Sequence, residues 1–181
     1  MRIKLNVFFI LFLFVSCIIG WLQQSLIMFA SVLLHEFGHV LTAKKLRIEV
    51  YEVELMPYGG IARMEELSKL GGAAEAVVSA AGPVTSFVLS LTFSFFREYS
   101  GVLESACRYN LIICLFNLLP VIPLDGGKIA RNLLCFLLGY RQATKILSSA
   151  VKIAALLILG FNIYMLASGS KSLAIIIACL L

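Results

Sequence analysis

The sequence predicts an all-α polytopic membrane protein of about six transmembrane helices with a small interfacial β-hairpin, and three observations carry that reading. Of the 181 residues, 61 % are hydrophobic and 14 % charged, which is not the balance of a water-soluble domain. The apolar residues gather into runs of roughly twenty, the length that crosses about 30 Å of hydrocarbon. Between two of these runs the pattern changes to period two: Tyr51, Val53 and Leu55 alternate with Glu52 and Glu54, and Pro57, Tyr58, Gly59 and Gly60 then turn the chain back. The length is that of one domain. A net charge of +5 would suit a nucleic-acid partner in a soluble protein, but topology accounts for it here. Twelve of the fifteen Lys and Arg residues, all except Arg97, Arg108 and Lys171, fall on one expected side, so no nucleic acid is called for. Five cysteines without a CxxC pair read as small buried hydrophobes.

Taken in order, residues 1–21 open with Arg2 and Lys4 and continue as an apolar run of signal-peptide form. The next apolar segment follows at once, so the run is expected to stay as a first span in a helical hairpin. The second span, residues 25–43, would be about 28 Å of helix. Lys44, Lys45 and Arg47 stop it, and the positive-inside rule places that end in the cytoplasm. The hairpin of residues 48–64 follows. A free strand edge there, with Gly59 and Gly60 at its turn, would either pair with an extended polypeptide or merely cover the helices beneath.

A third span is expected over residues 73–96, where Ala80, Ala81 and Gly82 form a small-residue face for close packing and Pro83 bends the helix. An external loop leads to a fourth span at 106–119. Pro120, Pro123, Gly126 and Gly127 then follow in quick succession, so the backbone must break near membrane depth, which is tolerated only where it is buried in protein or lines a wet cavity. Residues 128–145 read as a basic cytoplasmic connection with a short apolar piece at 133–138. A further span covers 146–167, and residues 173–181 are apolar but too short to cross alone.

The chemistry lies in the second span. His35 and His39, the chain's two histidines, stand four residues apart and so on one helix face, a spacing that suits two ligands of one tetrahedral zinc ion (Zn2+). Glu36 is rotated about a quarter-turn away, where a carboxylate can act as general base toward a water at the metal. Three ionisable groups within five residues of an apolar span are expensive unless they serve a function. Asp125, at the backbone break and returning to the same side, is the best third ligand, its competing role being a helix cap. Glu75, Glu98 and Glu104 lie at span ends or in the external loop and are poor rivals. Asn117 would either hydrogen-bond a substrate carbonyl or tie the broken helix to its neighbour.

With these residues in hand, the chain resembles the site-2 protease family of intramembrane zinc metalloproteases. The matching stretches are His35-Glu36-Phe37-Gly38-His39 and Asn117-Leu118-Leu119-Pro120 through Leu124-Asp125-Gly126-Gly127. Within that family the nearest likeness is to the stage IV sporulation intramembrane proteases of spore-forming bacteria, through Met56-Pro57-Tyr58-Gly59-Gly60, Ala81-Gly82-Pro83 and Tyr109-Asn110-Leu111. The resemblance implies one membrane-embedded metalloprotease domain over residues 1–181, with a catalytic core at about 25–128 and C-terminal helices at about 146–181. It implies zinc held by His35, His39 and Asp125, with Glu36 as catalytic base; the candidate substrate contacts Asn117, Gly59 and Gly60 rest on the reading of the break and the hairpin above. The implied setting is the bacterial cell membrane, and the basic residues after the second span put the active site near the cytoplasmic side. The implied partners are a membrane-tethered precursor, in the sporulation group a pro-sigma factor, and membrane inhibitor proteins. The alternative is a catalytically silent zinc-binding scaffold or transporter component, against which the intact Glu36 argues.

Overall fold

A computed structural model describes residues 2–5, 7–56, 59–64 and 72–167. The elements run β1 (Arg2–Leu5), α1 (Val7–Ile19), α2 (Leu22–Lys45), β2 (Val50–Met56), β3 (Gly59–Met64), α3 (Gly72–Ser94), a 3₁₀ turn (Arg97–Tyr99), α4 (Gly101–Asn117), α5 (Asp125–Leu138) and α6 (Tyr140–Ala167). Six α-helices thus make up most of the described chain. Two of them, α2 and α3, are long and apolar enough to cross a membrane by length and composition.

The helices turn their small and polar residues inward. On α3 the buried positions are Glu75, Val78, Ser79, Gly82, Pro83, Ser86 and Ser90, which recur every three or four residues and so form one stripe. Its exposed side carries Val77, Val84, Phe87, Val88 and Leu91. In water this arrangement would be upside down. In lipid, where apolar contact with the solvent is free of cost, close packing of small residues and interhelical hydrogen bonds hold helices together. The same division holds on α2, with Ser25, Ser31, His35, Gly38 and His39 inward and Leu26, Leu33, Phe37 and Leu41 outward.

α3 packs against α2, α4 and α5 and so occupies the middle of the bundle. The expected small-residue face is used there: a Cβ on Gly38 of α2 would stand 2.8 Å from the Ala81 carbonyl oxygen and 2.3 Å from Thr85 Oγ1 of α3. Two turns before Gly38, α2 meets α4, where the fully buried Asn110 donates to Ser31 Oγ at 2.9 Å and to the Ala106 carbonyl at 2.8 Å.

α2 ends as the three basic residues suggest, with Lys44 and Lys45 complementing the negative end of the helix dipole. The stop itself is a Schellman turn. Ile48 N donates to Ala43 O at 2.9 Å and Arg47 N to Lys44 O at 3.0 Å, while Arg47 takes the left-handed conformation at φ 60°. Ile48 and Ala43 then bury each other, together with Val78 of α3.

The three strands form a sheet of order β1-β2-β3 leaning on α2, with β2 parallel to β1 and antiparallel to β3. Residues 57–58, the expected hairpin turn, lie outside the described residues, as do residues 168–181 with the last apolar segment. β1 departs from the expectation that Arg2 and Lys4 simply flank a span. The alternation Arg2, Ile3, Lys4, Leu5 was a strand signal, but four residues are too few for the pattern to stand out.

A second correction concerns residues 128–145. They are no connection: α5 runs from Asp125 to Leu138, and after Gly139 the long helix α6 begins at Tyr140. Gly126 and Gly127 suggested a loop by composition, yet they belong to the first turn of α5. A Cβ on Gly126 would lie 2.2 Å from the Leu118 carbonyl oxygen, and one on Gly127 2.5 Å from that of Val121. The glycines are there so that the start of α5 can press against the irregular segment between α4 and α5.

Candidate metal centre

The backbone break does what its prolines and glycines require. α4 stops at Asn117, residues 118–124 form no regular helix, and α5 restarts at Asp125. The capping role weighed for Asp125 goes unused, because the cap position is Leu124 and no side-chain cap bond is made. Its carboxylate points instead at α2. Oδ2 lies 3.2 Å from His35 Nε2 and 3.0 Å from His39 Nε2, and the two imidazole nitrogens are 3.2 Å apart. All three residues are buried, at 3 %, 7 % and 5 % exposure. Among the described residues, His35, His39 and Asp125 are the group of side chains placed to hold a metal ion.

The geometry fits zinc. A tetrahedral ion with donors at about 2.0–2.1 Å sets those donors roughly 3.3 Å apart, close to the triangle observed. The donor chemistry agrees. His39 Nδ1 donates to the Val78 carbonyl at 2.7 Å, and a carbonyl can only accept, so the proton is on Nδ1 and the Nε2 lone pair faces the centre. His35 Nδ1 meets Ser86 Oγ at 3.0 Å, a hydroxyl that can accept from Nδ1 or donate to it; with the proton on Nδ1 the His35 Nε2 lone pair faces the centre as well. Lone pairs from two imidazoles and a carboxylate oxygen thus converge in a buried space, an arrangement that a cation stabilises. The second carboxylate oxygen, Oδ1, accepts from Lys128 Nζ at 3.2 Å, which directs Asp125 to offer one oxygen inward.

Both orienting partners come from α3, and so does the space between the rings. A Cβ on Gly82 would stand 2.2 Å from His39 Nε2 and 2.7 Å from His35 Nε2. The sequence marks Gly82 as a packing residue, and it is one, but what packs against it is the pair of donor atoms. Ser86 and the Val78 carbonyl were missed entirely. A buried serine one turn from a Gly-Pro pair on the facing helix was the available signal for Ser86; a backbone carbonyl leaves none.

The other expected site residues are not among the three donors. Glu36 occupies the position after His35 on α2 and is partly buried. Asn117 is the last residue of α4, and its Nδ2 donates one turn back to the Ile113 carbonyl at 3.0 Å. Gly59 and Gly60 begin β3, opposite Met56 and Leu55. Glu75, set aside as a rival ligand, is indeed elsewhere: it accepts from Arg131 Nη2 and from Asn132 Nδ2 on α5.

Comparison with known proteins agrees with this centre. The family model of peptidase family M50 matches residues 23–107 and 97–161. The zinc metalloprotease MJ0392 of Methanocaldococcus jannaschii is 34 % identical over 177 residues, covering 89 % of this chain and 51 % of that protein. Stage IV sporulation protein FB of Bacillus subtilis is 32 % identical over 131 residues, covering 70 % of this chain and 46 % of its own length. A solved site-2 protease from M. jannaschii superposes with a TM-score of 0.73 at 32 % identity, covering 98 % of this chain and 85 % of that one. The chain therefore spans about half the length of the curated relatives it matches. The likeness reaches further along the chain toward the archaeal protein than toward the sporulation protein, which corrects the narrower sporulation resemblance to a broader one. With two imidazoles and an aspartate converging from α2 and α5, and the family match running across both helices, the chain belongs to peptidase family M50, the site-2 protease family.

Proposed function

We propose that the protein is an intramembrane zinc endopeptidase that hydrolyses a peptide bond in or near the membrane segment of a tethered protein. The observation that supports this most directly is the convergence of three buried donors, His35 and His39 on a helix long enough to span lipid and Asp125 at the start of α5, beside a carboxylate they do not use. Zinc bound there supplies Lewis acidity, activating water and polarising a peptide carbonyl. Glu36, one position from a ligand and not itself among the three donors, takes the proton of the attacking water and returns it to the departing amine. The Val78 carbonyl keeps His39 in one tautomer through the cycle, and Ser86 holds the orientation of the His35 ring.

A helical substrate hides its amides, so it must unwind before the bond can be cut. Among the described residues β3 is an edge of the sheet, and Gly59 and Gly60 at its start would let an extended substrate backbone approach closely. One hydrogen of the Asn117 amide is given to Ile113, and the other would hold a substrate carbonyl near the break. These parts act as one membrane-embedded domain with its catalytic core at about residues 25–128. The basic residues Lys44, Lys45 and Arg47 just beyond His39, with Lys128 and Arg131 just beyond Asp125, favour a site near the cytoplasmic side. The substrate class is a membrane-tethered precursor, and a sporulation pro-sigma factor is the first precursor to try.

The test is co-expression with a single-span substrate, with and without a zinc chelator. Chelation should stop cleavage. Glu36→Gln should lower the rate by about 10²–10⁴-fold while zinc stays bound at one per chain. Asp125→Asn should lower the zinc content itself, measured on purified protein by elemental analysis. Undiminished cleavage by Glu36→Gln would remove the assignment, and a scaffold would then be the better reading.

A further inference from the structure

Two of the three donors share a helix, but Asp125 belongs to α5 and must be brought to them. Among the contacts that hold α5 is a polar, buried set made to α3. Glu75, 6 % exposed in the first turn of α3, accepts from Arg131 Nη2 and, at 3.0 Å, from Asn132 Nδ2. Asn132 Nδ2 also donates to the Lys128 carbonyl at 2.9 Å, and Lys128 is the residue that holds Asp125 Oδ1. The Arg131 guanidinium lies 5.0 Å from the centre of the Tyr140 ring at the start of α6, and Gly72 leaves room for the Asn132 side chain, whose Oδ1 a Cβ there would approach to 2.7 Å.

The spacing makes these contacts a ruler. Asn132 follows Asp125 by seven residues, two turns, and so shares its face of α5. On α3, Glu75, Val78, Gly82 and Ser86 fall on one buried face. Reading along that face, α3 meets the anchor of α5, then the partner of His39, then both donor nitrogens, then the partner of His35. An apolar pair would join α3 to α5 at less desolvation cost than a buried carboxylate and guanidinium, but apolar packing tolerates rotation and sliding that a directional hydrogen-bonded pair does not.

We propose that Glu75, acting through Arg131 and Asn132, is a positioning residue that fixes the rotation and height of α5 on α3, and so the place where Asp125 meets the two histidines. The proposal rests on the metal reading of the His35, His39 and Asp125 group. Its test uses the full chain in detergent and measures zinc affinity by competition with a chelator, the cobalt(II) ligand-field spectrum, and the melting temperature. In the double variant Glu75→Leu with Arg131→Met, helix packing is retained by apolar contact, so a merely structural pair predicts unchanged zinc affinity. The positioning role predicts an unchanged or higher melting temperature with zinc bound about 10–100-fold more weakly and an altered cobalt spectrum. Glu75→Gln, which keeps the shape, should show a smaller loss of the same kind and serves if the double variant does not fold. Wild-type affinity and spectrum in the folded variants would overturn the proposal alone. A wild-type chain that holds zinc no better than Asp125→Asn would overturn the metal reading and this proposal together.

Discussion

α2 and α3 are of nearly equal length and lie side by side, yet they contribute to the centre in opposite ways. α2 supplies two donors and the carboxylate next to them; α3 supplies no donor and touches both histidines that do. The sequence advertises the first kind of contribution and conceals the second. Histidines at a four-residue interval carry their chemistry in their side chains, whereas α3 acts through a carbonyl, a hydroxyl and a missing Cβ. A metal site of this type has a ligand helix and a mounting helix, and the mounting helix tolerates change no better.

The sharpest way to break that comparison is Gly82→Ala. The added carbon would sit 2.2 Å from His39 Nε2, so the rings or α3 must move, and displacement of about 1 Å at a reacting centre costs on the order of 100-fold in rate. Zinc content should fall with it. A variant that keeps both its zinc and its activity would show that α3 is a spacer and no mount. Ser86→Ala comes next: loss of the partner of His35 Nδ1 should weaken zinc by about 10–100-fold, read by chelator competition, with the fold intact. The smallest effect is expected at the far end of α2. Arg47 stands at φ 60°, where a side chain costs about 1–2 kcal/mol, and Arg47→Gly relieves this at the expense of unfolded-state entropy. Its net shift in stability should stay under about 1 kcal/mol, with zinc binding unchanged. A change in zinc binding there would mean that the helix end communicates with the donors.

The limits of sequence reasoning follow the same line. The helical fold, the hairpin of α1 and α2, the interruption after Asn117 and the donors His35, His39 and Asp125 were all legible, because each depends on periodicity, on breakers or on side-chain type. The partners of the imidazoles were not, since they lie 39 and 51 positions away in the chain and only folding joins them. α5 was misread for a related reason. Its glycines look like a loop until the carbonyls of Leu118 and Val121 stand where their side chains would have been. Glu75 was judged as a ligand and found wanting; its use as a helix anchor needed Arg131 and Asn132 beside it, 56 and 57 positions on.

Because Asp125 opens a helix of its own, an ion shared with His35 fastens together two stretches that are 90 positions apart in the chain. A ligand that binds only the assembled arrangement adds to its stability by mass action, so the chemistry and the architecture draw on the same supply of zinc. Starving the protein of that supply would loosen the joint between α5 and the rest as well as silence it.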